Sequence, residues 1–406
     1  MLVVRSMIEI ENLDHQGRGI AHINNKIVFI ENALPNEIVE TKIIKEHKNF
    51  NESIVTKYIK KSVNRIDPIC PYYKECGGCN IMHMPYDKQL EFKQNKINNI
   101  INKYLKNDIL INKIVKSDYK VNYRNKITFQ VNKDIGFFKK NSNELIKIDK
   151  CILCDELINN SIKYLSTLDL SKIEKIICKS NKKDLMIIIE TNDINLNIDK
   201  LIPHCKSIYL KQNNKYILKY GEKQIKQNIG NINYLISPDS FFQINLDVTK
   251  KLYDKIKSIV GTNKNIIDLY CGTGSIGIYI SKDNNVYGIE INEQAINDAI
   301  INKKINNIQN IEFILGDSGK KIKNLTKKID TIIVDPPRNG LNKETINNIL
   351  NINPKNIIYV SCDPMTLVRD LKVFSNNYDI VEITPFDMFP NTYHVECLVQ
   401  LKLKNK

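Results

Sequence analysis

No apolar run in this 406-residue chain approaches the ~18 residues that a membrane-spanning helix needs. The opening Met1-Leu-Val-Val-Arg-Ser is also too short for the apolar stretch of a secretory leader. Neither a membrane protein nor an exported one is expected. The ten cysteines are therefore expected in a reducing cytoplasm, where metal binding or catalysis suits them better than disulfides. Acid is scarce relative to base: 45 Asp+Glu against 60 Lys+Arg, a formal net charge of +15. Such an excess favours a polyanionic partner, because cationic surface releases condensed counterions from nucleic acid. The bland alternative is a basic protein without such a partner. No internal repeat is evident. Hydrophobic residues make up 42% of the chain, enough for packed cores, and two or three domains are expected from its length.

Residues 1–60 read as short strands at 7–13, 26–30, 38–44 and 53–59, with Gly17 and Gly19 in the first connection and Pro35-Asn36 in the second. That pattern suits a small barrel of the OB type, a common scaffold for oligonucleotides. A Cys/Pro/Gly-rich loop comes next at 61–84, then a polar helix at about 86–106 with apolar positions at Leu90, Ile97, Ile100 and Ile101. Residues 61–236 are expected to form a small α+β middle domain, with the helix at 86–106 able to pack on the domain after it. From 237 to 406 strands and helices alternate. Strands are expected at 265–269, 286–290, 311–315, 331–334, 357–360 and 395–403, which predicts a doubly wound, mostly parallel α/β sheet.

A ligand site is expected at the carboxyl edge of that sheet. Asp268-Leu-Tyr-Cys-Gly-Thr-Gly comes after the first strand, and Gly272 and Gly274 permit a tight turn and close approach of a ligand. Glu290 ends the second strand, where an acid accepts hydrogen bonds from ribose hydroxyls. Asp335-Pro-Pro-Arg ends a further strand on the same edge. Glycines of this kind alone are as often structural as functional; with Glu290 and Asp335 they look like a class I methyltransferase, whose ligand is S-adenosylmethionine.

Cys362 lies just past the strand at 357–360, and His394-Val-Glu396 opens the last strand. Alternation there places His394 and Glu396 on one face and Val395 and Cys397 on the other. A cysteine, a glutamate and a methyl donor make one coherent reaction. Carbon 5 of a pyrimidine becomes nucleophilic when a thiolate adds at carbon 6, and a base must then remove the carbon 5 proton so that the thiol is eliminated. Cys362 suits the first role and Glu396 the second. The competing reading is a buried strand-end cysteine and a surface acid. Cys271, Cys178, Cys205 and Cys397 sit in packed or apolar contexts and are expected to be core residues.

Asp-Pro-Pro-Arg-x-Gly (335–340), Ser-Cys-Asp-Pro-x-Thr-Leu-x-Arg-Asp-Leu (361–371), Phe-Pro-x-Thr-x-His-Val-Glu (389–396), Ser-Phe-Phe-Gln-Ile-Asn (240–245) and Tyr-Arg-Asn-Lys (123–126) resemble the RNA 5-methyluridine methyltransferase family nearly end to end. The resemblance implies a Rossmann-like class I methyltransferase domain with Cys362 as nucleophile and Glu396 as base. It implies that Gln243, Tyr270, Glu290 and Asp335 hold S-adenosylmethionine. It also makes residues 1–60 similar to the TRAM domain, an RNA-binding barrel, with Asn36 where the family usually has glycine.

Cys70, Cys76 and Cys79 gather in one loop. Cys76 and Cys79 with Cys151 and Cys154 would make a zinc site of four thiolates; all three loop thiols with one distant cysteine would suit a [4Fe–4S] cluster. The resemblance favours the cluster, closed by Cys151, with Cys154 spare. It leans toward ribosomal RNA as substrate over transfer RNA, and a monomer is expected. A radical methylthiotransferase would need thiols spaced x3 and x2, whereas this loop has x5 and x2. A cytosine methyltransferase would carry its nucleophile after Pro or Thr, and position 361 is Ser. A non-enzymatic RNA-binding protein would have lost Cys362 or Glu396. The aromatic candidate for stacking on the target base is Phe241.

Overall fold

The computed structural model describes residues 7–105, 108–325 and 327–405, so the expectations for residues 1–6 and for the helix end at Lys106 lie outside the described residues. Strands Met7–Glu9, Asn12–Leu13, Gly19–Ile23, Lys26–Glu31, Ile38–Glu46 and Phe50–Lys60 share one sheet whose two ends are the first two strands. Because these are halves of one stretch, the sheet closes on itself. Ile10 N–H donates to Glu37 O and Glu11 N–H to Ile20 O, each at 2.9 Å. Ile8, Ile10, Ala21, Val28, Ile30, Ala33 and Val39 fill the interior. Asn36 adopts φ +65°, the left-handed conformation that asparagine reaches more easily than other side chains when glycine is missing.

The middle region carries a seven-stranded sheet from Lys126–Asn132 to Lys215–Gly221, backed by the helix Glu156–Leu165. Beyond it lies the sheet that matters for chemistry. Its strands are β1 Asn265–Leu269, β2 Asn285–Glu290, β3 Ile311–Leu315, β4 Thr331–Val334, β5 Asn356–Ser361, β6 Tyr378–Phe386 and β7 Glu396–Leu403. Their order is β3-β2-β1-β4-β5-β7-β6, extended at the β6 edge by Leu110–Ile111. The first five are parallel, and β7 runs antiparallel to both neighbours. Alternate residues of β4 and β5 face two cores: Ile332, Val334, Ile357 and Tyr359 one side, Ile333, Ile358 and Val360 the other. Burial on both faces explains why these strands read as continuous apolar runs.

The expected strands are present, with β7 beginning one residue later than expected, at Glu396. β6 was not foreseen, because Asp379, Glu382 and Pro385 interrupt its pattern; its first half is mostly solvent-facing and its second half buried. The sheet's packing also reaches upstream of residue 237. Ile97, Ile101 and Leu105 of the helix Tyr86–Leu105 join one core, and Ile225, Ile229, Tyr234 and Ile236 of a hairpin join the other.

Candidate active site

β1, β4 and β5 end together at one edge, so Tyr270, Asp335 and Cys362 emerge there, while antiparallel β7 starts at the same edge with Glu396. Cys397 pairs with Ser361 across β5 and β7, which puts Cys362 and Glu396 on adjoining strands. Val395, Cys397, Val399 and Leu401 pack into one core and Leu398 into the other, so Glu396 points away from the Cys397 side.

Burial dominates the electrostatics. Cys362 is half-buried, and its thiol is pushed up to about 11 by burial, then by the Glu396 and Asp335 carboxyls, against the pull of Arg338. Cys362 also precedes the helix Pro364–Phe374, capped by Asp363 Oδ1 accepting from Met365 N (2.9 Å) and Thr366 N (3.0 Å). A helix N-terminus favours a thiolate, but burial outweighs it here. Burial thus favours the neutral thiol over the thiolate at Cys362. Burial and Asp335 raise Glu396 well above the carboxylate range, and burial alone brings Asp335 up to about 7. Arg338, Cys362, Asp335 and Glu396 thus share one field. Arg338 closes the Asp-Pro-Pro-Arg motif, and the sequence alone gave it no role of its own.

The segment carrying Glu396 is pinned almost atom by atom. Lys93 Nζ donates to Asp387 Oδ1 (2.5 Å) and Phe389 O (3.0 Å), Lys96 Nζ to Tyr393 O (3.0 Å), and Tyr123 Oη to Pro390 O (3.0 Å). Asn391, at φ +69°, exchanges hydrogen bonds with Gln89 and accepts at its carbonyl from the N–H groups of Asn80 and Ile81. None of Gln89, Lys93 or Asn391 stands out in the sequence, since their partners lie 294 and more residues away. His394 is mostly buried, and burial with nearby Arg338 holds its imidazole down to about 4.

On the cofactor side the two glycines separate. A Cβ on Gly272 (φ +53°) would meet nothing within 4 Å, whereas one on Gly274 (φ +74°) would lie 2.5 Å from Phe313 Cζ. Gly272 borders open space; Gly274 is a packing glycine at the head of a helix. Tyr270 holds φ +61°, the one aromatic in that region among the described residues, a conformation costing roughly 1–2 kcal/mol and concentrated at functional sites. Glu290 accepts from Gly272 N (3.0 Å) and from Ile291 N and Asn292 N (2.8 Å each), so it first shapes the turn. Gln243 is buried, its carbonyl held by Asn125 Nδ2 at 3.0 Å. Phe241 is 65% exposed, which excludes a core role; Phe242 packs inside instead. Asp268, which the sequence gave no role either, is fully buried. It accepts from Gly277 N at 2.9 Å through one oxygen and leaves the other without a partner; burial raises its carboxyl to about 8.

Cys70, Cys76, Cys79 and Cys151 line one cavity of about 230 Å³ with Tyr72, Tyr73, Arg124 and Phe137. Cys154 does not line it; it is fully buried, and its N–H donates to Cys151 O at 3.0 Å. Among the described residues no three His, Cys, Asp or Glu side chains converge to hold a single metal ion. Cys178, Cys271 and Cys397 are buried and Cys205 half-buried. His83 is buried too, its Nδ1 2.5 Å from Tyr73 Oη. No described helix is long and apolar enough to cross a membrane.

The family described as tRNA (Uracil-5-)-methyltransferase matches residues 162–404, and the TRAM domain matches residues 6–56. A protein of Clostridium acetobutylicum named as an RNA methyltransferase is 36% identical over 446 residues, covering 98% of this chain and 97% of that one. Another of Fusobacterium nucleatum is 37% identical over 98% and 95%. The crystal structure of the tRNA (uracil-54, C5)-methyltransferase of Pyrococcus abyssi, in complex with S-adenosyl-L-homocysteine, is similar at 28% identity and a TM-score of 0.82, over 97% of this chain and 99% of that one. By these likenesses and by the fold, the chain belongs to the S-adenosylmethionine-dependent RNA uracil-5-methyltransferase family, with a TRAM domain at its N-terminal end.

Proposed function

We propose that this chain methylates carbon 5 of a uridine in RNA, with Cys362 as nucleophile at carbon 6 and Glu396 as the base that removes the carbon 5 proton. The observation that carries this is the emergence of both residues from adjoining strands at the edge where Tyr270 and Asp335 also end. Cys362 starts as a neutral thiol, so it must lose its proton as the target base enters, with Arg338 as the neighbouring cation favouring that loss. Glu396, raised by burial, is a strong proton acceptor once ionised. Gln243, Tyr270, Gly272, Gly274, Glu290 and Asp335 hold S-adenosylmethionine, which supplies the methyl group. Gly272 does so by leaving room and Gly274 by fixing the turn.

Cys70, Cys76, Cys79 and Cys151 hold a [4Fe–4S] cluster. Four thiols lining one cavity, with Cys154 outside it, suit a polynuclear centre. The cluster would brace the middle region, since methyl transfer needs no electron. The reaction is placed in the cytoplasm and in a monomer. Ribosomal RNA of the large subunit is the proposed substrate; transfer RNA is the second reading, supported by the stated substrate of the Pyrococcus abyssi enzyme.

Cys362→Ala is expected to abolish methylation while S-adenosylmethionine still binds. Glu396→Gln is expected to accumulate a covalent RNA–protein adduct that survives denaturing electrophoresis. Normal turnover by Cys362→Ala would overturn the assignment. Mapping 5-methyluridine in ribosomal and transfer RNA from a deletion strain decides the substrate. Anaerobically purified protein should be brown, losing its colour on Ser substitution of any of the four cluster cysteines and keeping it on Cys154→Ser.

A further inference from the structure

Residues 237–240 form a turn that leads straight into Phe241, Phe242 and Gln243, and two buried charged groups grip it from opposite sides. Lys179 belongs to the middle sheet, on the strand Ile173–Ser180, and is only 4% exposed. Its Nζ donates to Ser237 O at 2.9 Å and to Ser240 O at 2.8 Å. Asp298 lies on the helix Glu293–Ile305 of the catalytic domain and is fully buried. Its carboxylate accepts from Ser237 N (2.9 Å), Ser237 Oγ, Ser240 Oγ and Gln224 Nε2 (2.6 Å each).

Buried charge is costly unless it is well hydrogen-bonded. Here Lys179 gives both of its hydrogen bonds to the turn, and Asp298 takes three of its own from it besides those from Gln224 and Gln294. A segment that merely had to pack would not need a cation and an anion applied to the same two serines. The residues after the turn are also secured. Asn125 Nδ2 donates to Gln243 O, and Asn245 Oδ1 caps the next helix. Gln243 is thereby fixed from both directions, while the Phe241 ring projects into solvent.

We propose that Lys179 and Asp298 are positioning residues, which lock the 237–240 turn so that Gln243 and Phe241 meet the cofactor and the target base already in place. The inference rests on the reading of Gln243 as a cofactor ligand. The ordering cost of the loop is met on folding rather than on binding. Burial and Lys126 push the Lys179 ammonium down to about 7, against Asp298 and Asp239. A neutral amine still carries two N–H groups, one for each carbonyl, so the clamp survives that deprotonation.

The chain has no tryptophan, so Phe241→Trp introduces a sole indole that reports on this loop. In that full-length background, Lys179→Met is expected to lower the Trp emission anisotropy and to weaken S-adenosylhomocysteine binding by roughly tenfold, with thermal unfolding still cooperative. Asp298→Asn should do the same, and KM for S-adenosylmethionine should rise more than kcat falls. If neither substitution gives folded protein, Ser240→Ala, which removes one hydroxyl contact and keeps both charges, should show a smaller drop in the same readouts. Unchanged anisotropy and affinity in the folded variants would overturn the clamp. Gln243→Ala separates the two ideas. If it leaves S-adenosylhomocysteine affinity unchanged while Lys179→Met still frees the indole, the cofactor reading of Gln243 fails and the clamp stands. If Gln243→Ala weakens binding and Lys179→Met changes nothing, the clamp alone fails.

Discussion

Three carboxyls at the site, Asp268, Asp335 and Glu396, are held above the usual carboxylate range, chiefly by burial. A carboxyl raised in the folded state contributes most favourably below its unfolded value and loses that contribution as pH climbs to its folded value. Asp268, shifted from 3.8 to about 8, should therefore weaken the cofactor-free protein progressively across that window. Asp268→Asn is expected to raise Tm at pH 8 and to give no gain near pH 4; equal gains at both would refute the linkage. The same groups shape the rate. Because Cys362 rests as a thiol and Asp335 titrates near 7, kcat/KM should climb from pH 6 to pH 9 rather than pass through a maximum near neutrality. Asp335→Asn, by removing a negative neighbour, should lower the Cys362 pKa, measurable as faster alkylation of that thiol at pH 8.

At the scale of elements, the helix Tyr86–Leu105 and the segment 387–395 depend on each other. Lys93 and Asp387 are both fully buried at 2.5 Å, with Tyr86 Oη donating to the second Asp387 oxygen at 2.8 Å. Removing one partner strands a buried charge, so Lys93→Met should cost about 3–5 kcal/mol in urea denaturation. Lys93→Met with Asp387→Leu should recover much of that loss; a strictly additive double variant would mean the two are not coupled. This dependence was invisible in the sequence. The helix showed only a thin apolar stripe, and nothing in its pattern set the buried Gln89 and Lys93 apart from its other polar residues. β4 and β5 were legible because a strand buried on both faces announces itself by an unbroken apolar run, and β1, β2, β3 and β7 because apolar-rich stretches alternate with helical segments. β6 was not, since its exposed half carries acids. The edge residues Cys362, Glu396, Asp335 and Tyr270 were legible through motif and strand end together. Asp268 and Arg338 lay in the same motifs, and only burial and proximity gave them a part.

For the whole molecule, the question is how the N-terminal barrel and a recessed thiol serve one RNA. On the proposed mechanism, a uracil within a helix or loop must leave its stack to reach Cys362, at a cost of a few kcal/mol. Binding to the RNA backbone has to offset that. The barrel is joined to the rest by Arg65 on Glu37 (2.5 Å) and by Leu34 packed on Ile81 and Met84, so deleting it would bare apolar surface. Exchanging the exposed Lys45, Lys48, Lys57, Lys60 and Lys61 for Gln is the cleaner probe. If they meet phosphates, the slope of log affinity against log salt should flatten by about 0.7–0.9 for each phosphate no longer neutralised, with S-adenosylhomocysteine affinity unchanged. Equal slopes would mean that the barrel does not hold the RNA.

The anchoring of 387–395 also says what descent can do to this enzyme. Successive residues of a strand face opposite ways, so a slip of one position at the start of β7 would bring the Cys397 side chain to the catalytic edge and bury the carboxylate in the core. In a slack connection an extra residue would bulge outward and leave the strand alone. Here the carbonyls of Met388, Phe389, Pro390, Asn391 and Tyr393 are each already engaged. Length variation can accumulate harmlessly at hairpin tips such as Asn213-Asn214. Between β6 and β7, a single inserted or deleted codon triplet should be as inactivating as loss of Glu396 itself, even though every chemical group survives.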